Sequence, residues 1–350
     1  MKKLVFYYPQ GHEAHYSPGH PERPERITVL RRALQAAGWW DAYPRLDPLD
    51  LTEEFLAQVH SRLYLEHLQA ACRRAASLDA DTYTTPESWR LALNAAGGAA
   101  AVAQAVWQGD AQRGLALTRP PGHHATVQRG MGFCLLNNIA LAAQFLLTPS
   151  ANITKVARKL AIVDLDLHHG NGTQDIFWRR SDVFFISTHQ SPLYPGSGRL
   201  DEIGDGEGRG YNANVPLPPF TGDQGFGAVM ETFILPLLDR YAPQMILVSF
   251  GFDTHWRDPL GNLSLSAGKY GELIRWLVEW ADVNCEGKIA LFLEGGYDLE
   301  AGAACIQAIT AAVLGEEWQD PIGPAPQAET NSWRSVLKAA QRIWDLPVDE

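Results

Sequence analysis

The sequence predicts an α/β protein: one domain over residues 1–350, built on a central, mostly parallel β-sheet flanked by helices. Two observations predict it. Short apolar runs rich in β-formers alternate with helix-like segments, and strands joined through helices run parallel, with both sheet faces covered. The run Met245-Ile-Leu-Val-Ser-Phe is almost continuously hydrophobic, as a strand buried on both sides must be. Evenness along the chain supports one domain, because no low-complexity run, charge block, repeat or linker interrupts it.

The elements follow in order. Residues 4–8 make a first strand, and the short, aromatic N-terminus does not read as a signal peptide. The Ala-rich stretch 88–108 is helical and leads to a strand at 114–118. A helix at 137–147 precedes strands at 160–165 and 183–187. Residues 226–241 form a helix before the strand at 245–250. A helix at 267–281, a strand at 289–293 and a helix at 300–314 complete the alternation. No apolar stretch reaches the ~18 residues of a membrane span.

Composition narrows the function. The formal charge of −11 argues against general affinity for nucleic acid, since phosphate binding needs a basic surface. An acidic surface could attract cationic substrates such as lysine tails or polyamines, or serve solubility alone. Cys72, Cys134, Cys285 and Cys305 show no close pairing, so reduced thiols and a cytoplasmic setting are expected.

In parallel sheets, ligands bind beyond the carboxyl ends of the strands. Five runs deliver His, Asp or Tyr at that edge: Arg119-Pro-Pro-Gly-His-His-Ala, Asp164-Leu-Asp-Leu-His, Ser187-Thr-His, Gly251-Phe-Asp-Thr and Glu294-Gly-Gly-Tyr. Asp164, Asp166 and His168 alternate, so an extended backbone turns them to one side. Buried carboxylates are costly unless paired or bound to metal, which points to a cation. Asp166, His168 and Asp253 make a plausible zinc site, because catalytic zinc takes three protein ligands and keeps an open position. Asp253 alone would read as a turn or cap residue. The Pro-Pro-Gly turn could bring both His123 and His124 to the cavity, one as general base and one as electrostatic support. Tyr297, after a Gly-Gly pair, could donate to a developing oxyanion, although a tyrosine there often only packs.

These motifs, with Gly132-Phe-Cys, Asp164-Leu-Asp-Leu-His-His-Gly-Asn-Gly-Thr-Gln and Asp258-Pro-Leu, resemble those of the histone deacetylase superfamily in order and length. The chain is most similar to class II deacetylases and bacterial deacetylase-like amidohydrolases, from His20-Pro-Glu-Arg-Pro-Glu-Arg to about Leu314. The resemblance implies the arginase/deacetylase-like fold and zinc held by Asp166, His168 and Asp253. It implies Tyr297 polarising the acyl carbonyl, His124 as acid/base with Asn171 as partner, and His123 oriented by Asp164. A structural potassium ion is implied at Asp164, Asp166, His168, Ser187 and Thr188. The acyl-lysine tunnel is implied at Gly132, Phe133 and Leu260, with Tyr194 on the facing wall where the family often has Phe. Arg23 matches the arginine of an internal channel.

The implied reaction is hydrolysis of a short N-acyl amide on lysine, by water attack with His124 as base and Tyr297 as oxyanion donor. An acylated lysine or amine is then the partner, with no direct nucleic acid or membrane, and a homo-oligomer stays open. An acetylpolyamine amidohydrolase is the alternative. Leu260 stands where a polyamine-selective relative carries a gatekeeping Glu, which speaks against it, whereas Asp79, Asp81 or Glu87 could supply another acid. An arginase-type dimanganese ureohydrolase or an inactive acyl-lysine reader fits the residues less well.

Overall fold

The computed structural model describes residues 2–149 and 155–348; Met1 and the last two residues, included in the single expected domain, lie outside them. Among the described residues, eight strands form one open sheet: β1 (Lys2–Tyr7), β2 (Arg45–Leu46), β3 (Ala111–Ala116), β4 (Leu160–Asp164), β5 (Val183–Gln190), β6 (Asn212–Leu217), β7 (Met245–Phe250) and β8 (Ile289–Leu293). Their order is β2-β1-β3-β8-β7-β4-β5-β6, and every neighbouring pair is parallel.

Successive strand residues enter opposite layers. Leu160 and Ile162 of β4 join the core that includes Leu247 and Phe292, while Ala161 and Val163 join the core with Val248 and Leu291. Period-two alternation thus puts apolar side chains on both faces, and helices cover both. Ser88–Trp107 and Asn138–Leu147 pack in the first layer; Ala267–Asn284 and Leu299–Leu314 pack in the second.

Differences from the sequence-based expectation lie mostly at the sheet edges. The terminal strand β6 reads Asn-Ala-Asn-Val-Pro-Leu, polar and proline-bearing, which only an edge position tolerates. At the other edge β2 has two residues, too few to show a period. The helix expected over 226–241 is interrupted. Asp223–Val229 passes through a π-helical segment, Met230–Ile234, into Leu235–Tyr241. Pro236 lies at the start of that last segment, and having no N–H it cannot continue an ordinary helical ladder.

Candidate metal centre and active site

β4 and β7 are adjacent and in register, Asp164 beside Ser249, so their carboxyl ends open at one place. Beyond β4 the alternation continues: Leu165 and Leu167 are buried in the core, while Asp166 and His168 turn the other way. Asp253 comes from the short turn Phe252–Thr254 after β7. Asp166, His168 and Asp253 each offer a ligand atom, all within 4.8 Å of one another. His168 Nδ1 stands 3.3 Å from both Asp166 Oδ1 and Asp253 Oδ2.

The donor set fits a divalent cation. Asp253 Oδ2 is buried and the nearby His168 Nδ1 does not meet it in hydrogen-bond geometry, an arrangement that costs free energy unless a cation takes the lone pair. Burial, then the neighbouring Asp166 carboxylate, push the Asp253 carboxyl up to about 7. Burial opposes the charged form of His168, yet its contacts with Asp166 and Asp253 hold it up to about 9. Without a cation the cluster therefore retains protons that a metal would displace. The remaining carboxylate oxygens are positioned by backbone: Leu167 N–H donates to Asp253 Oδ1 at 3.1 Å, and Gly295 N–H to Asp166 Oδ2 at 2.9 Å. Gly251 and Gly295 close the cradle, because a Cβ at either position would collide with these carboxylates.

The two histidines occupy opposite electrostatic settings. Glu294, at the end of β8, accepts from Gly122 N–H at 2.7 Å and His123 N–H at 3.1 Å, which fixes the Pro-Pro-Gly turn. The rings of His123 and His124 then lie 4.0 Å apart. His123 Nδ1 is 3.1 Å from Asp164 Oδ2, and its Nε2 is 3.7 Å from Asp166 Oδ1. Burial disfavours its protonation, but Asp166 and Asp164 outweigh that and raise it to about 10. His124 is driven well below the ordinary histidine range by burial and then by the cationic neighbours His123 and His168. Its Nδ1 lies 2.7 Å from Asn171 Oδ1. That oxygen only accepts, so Nδ1 carries the proton and Nε2 keeps a lone pair.

Tyr297 completes one wall of a cavity of about 230 Å³, also lined by Phe133, Tyr194 and Leu260. Gly132, His124, His168 and Asp81 border it as well. Phe133 meets the Tyr297 ring edge-on at 5.8 Å, and Tyr194 meets the His124 ring edge-on at 5.3 Å. Apolar walls with a polar end suit an aliphatic stem carrying an amide. Asp258 fixes the tyrosine loop, since its Oδ2 accepts from Tyr297 N–H at 2.6 Å and Asp298 N–H at 3.2 Å.

The structure moves one expected residue. Arg23 is exposed. The buried arginine of this segment is Arg26, one helical turn's reach from Glu22, with its guanidinium 4.8 Å from the Tyr297 ring centroid. Arg26 donates to the carbonyls of Glu294 and Gly296, both at 2.6 Å. Glu22 binds Arg119 Nε at 2.7 Å and Arg26 Nη1 at 3.0 Å. Burial would raise its carboxyl, but Arg119 and Arg26 prevail and hold it down to about 2. Glu22, Arg26, Asp258 and Glu294 thus support the site although the sequence reading assigned them no role. The signal available in the sequence is four charged residues inside His-Pro-Glu-Arg-Pro-Glu-Arg, with Glu22 four positions before Arg26.

Ser187 stands beside Asp164 in the β4–β5 register, and Thr188 Oγ1 reaches the Asp164 carbonyl at 3.4 Å. Asp164, Ser187 and Thr188 are therefore neighbours beside the candidate metal-binding residues. Of the three loop acids, only Asp81 reaches the cavity. Asp79 accepts from Asp81 N–H and Thr82 N–H, and Glu87 pairs with Arg90 at 2.9 Å.

The model of the histone deacetylase domain matches residues 20–313. The chain belongs to the histone deacetylase family. It is 41% identical to a probable deacetylase of Archaeoglobus fulgidus over 337 residues, covering 94% of this chain and 92% of that protein. A histone deacetylase-like amidohydrolase of Pseudomonas aeruginosa is 36% identical over 281 residues, 80% of this chain and 73% of the relative. The crystal structure of the HDA15 HD domain superposes with a TM-score of 0.88 at 31% identity, covering 98% of this chain and 94% of that one. Membership of the deacetylase family places the chain among deacetylases and amidohydrolases. Among the described residues, no helix of this deacetylase-family chain is long and apolar enough to cross a membrane.

Proposed function

We propose that the protein is a zinc-dependent deacylase that hydrolyses acetyl or other short acyl amides of lysine-type amines. One observation carries the reading: Asp166, His168 and Asp253 converge, and His168 lines an apolar cavity that also presents His124 and Tyr297. Zinc, held by those three residues, would supply Lewis-acid polarisation. His124, neutral and directed by Asn171, takes a proton from the attacking water through Nε2. Tyr297 donates its hydroxyl hydrogen to the oxyanion that develops on the acyl carbon. His123, cationic beside Asp164, adds positive charge where negative charge grows, and a histidine protonates the departing amine. Phe133, Tyr194 and Leu260 enclose the aliphatic stem and exclude water. In the same reading Asp164, Asp166, His168, Ser187 and Thr188 would hold a potassium ion, which would neutralise buried negative charge beside the site.

The partner is an acylated amine, as the net charge of −11 disfavours polyanions. Four buried, unpaired cysteines suit a reducing, cytoplasmic setting. A second reading, acetylpolyamine hydrolysis, is favoured by Asp81 at the cavity mouth, where a distal ammonium could pair. Comparing kcat/KM of the zinc-loaded protein on an acetyl-lysine peptide and on acetylputrescine tests both. Faster peptide turnover supports the deacylase reading, and faster acetylputrescine turnover selects the second. No turnover of either overturns both.

A further inference from the structure

Beside the tunnel lies a larger open groove of about 910 Å³. Its floor carries Asn171, Gln174, Asp175 and Trp178 of the helix Asn171–Phe177 and its C-terminal flank, at the i, i+3, i+4, i+7 spacing of one helix face. Its walls are the loops around 126–131 and 195–202. These loops also build the tunnel: Met131 lines the groove and Gly132 the tunnel, while Pro195 lines the groove and Tyr194 the tunnel. The groove begins at Asn171, the partner of His124. A free acylated diamine would fill the tunnel and leave this groove untouched.

The groove is braced before any ligand arrives. Gln174 Oε1 accepts from Asn212 and Asn214 amides at 2.9 and 2.8 Å, and its Nε2 donates to Glu202 Oε2 at 2.7 Å. Glu202 also receives Gly198 N–H at 2.9 Å, and Asp175 receives Val127 N–H at 3.0 Å, so both walls are tied to the floor. A preformed cleft with a half-buried indole among amide and hydroxyl groups suits an extended peptide, because ordering costs are already met and an aromatic anchor is present. Its charged lining is Asp175 and Glu202 against Arg129, which favours a cationic side chain.

We propose that this groove binds the polypeptide flanking the acylated lysine, with preference for a basic residue there, an assignment that rests on the deacylase reading. The test compares kcat/KM on acetyl-lysine blocked at both ends with kcat/KM on a short peptide carrying acetyl-lysine and a neighbouring arginine. Trp178→Ala is expected to lower the peptide value by roughly fivefold to tenfold, through KM, and to leave the blocked amino acid unchanged. Arg129→Glu, at an exposed position, is expected to favour the arginine peptide over its glutamate counterpart more strongly than wild type does. The same shifts are expected in the Kd of the uncleaved peptides for the metal-free protein, read by fluorescence anisotropy. Equal losses on both substrates, or no change on either, would overturn the groove while leaving the deacylase reading intact. If wild type turned over neither acetyl-lysine substrate, the reading beneath it would fall and the groove assignment with it.

Discussion

Asn171 Oδ1 lies 2.7 Å from His124 Nδ1, and that contact decides which nitrogen of the histidine keeps its lone pair. An acceptor at Nδ1 holds the proton there, so Nε2 is left with its lone pair. His124→Ala is expected to reduce kcat by ~10²–10⁴, the usual contribution of a general base. Asn171→Ala removes only the orienting acceptor and should reduce kcat less, with zinc content unchanged. Steady-state kinetics with metal analysis of both variants checks this, and an Asn171→Ala enzyme with wild-type kcat would contradict the orienting role.

Tyr297 and Asp258 should behave as a pair with different signatures. Tyr297→Phe removes the proposed oxyanion donor and is expected to lower kcat by roughly 10²–10³, with little effect on folding. Asp258→Ala leaves buried N–H groups of the tyrosine loop unpaired, which costs about 1–3 kcal/mol of stability as well as activity. Urea unfolding alongside turnover separates the two, since only Asp258→Ala should shift the midpoint.

Metal binding should release protons. His168, held up to about 9, and Asp253, held up to about 7, are both partly or wholly protonated at neutral pH without a cation, and both must ionise or deprotonate to ligate one. Calorimetric zinc titrations in buffers of different ionisation enthalpy should show protons released on binding at pH 7, and fewer as pH rises through 7 and then 9. Gly251→Ala, whose Cβ would strike Asp166, should weaken zinc affinity in the same titration.

The Glu22 carboxylate gives an acid-stability prediction. Its folded-state value, about 2, lies below the ordinary 4.5, so the unfolded chain binds the proton more readily. Its contribution is whole above pH 4.5 and is lost as pH falls toward 2, on the order of 3 kcal/mol across that window. Urea unfolding of wild type between pH 6 and pH 2 should show this loss, and Glu22→Gln should flatten the slope. Glu22→Gln should also be less stable at pH 7, because it leaves Arg119 and Arg26 buried beside a neutral amide.

The alternating strands, the buried parallel sheet and the edge at which chemistry gathers are all legible in the sequence. Period-two hydrophobicity and strand-end His, Asp and Tyr are local signals, written in neighbouring residues. That is why Asp166 and His168 could be read as one pair from a single strand, and why the six apolar runs all fall within or beside observed strands. The sheet edges could not be read that way, as β6 carries Asn and Pro and β2 is too short for a period. That β7 lies next to β4 and brings Asp253 to the other two donors is set by the folded chain. Only packing across distant segments showed that Arg26, not Arg23, is buried behind Tyr297. The reason is physical: a carboxylate or guanidinium survives in the interior through partners the fold supplies from elsewhere in the chain, and no local pattern names them.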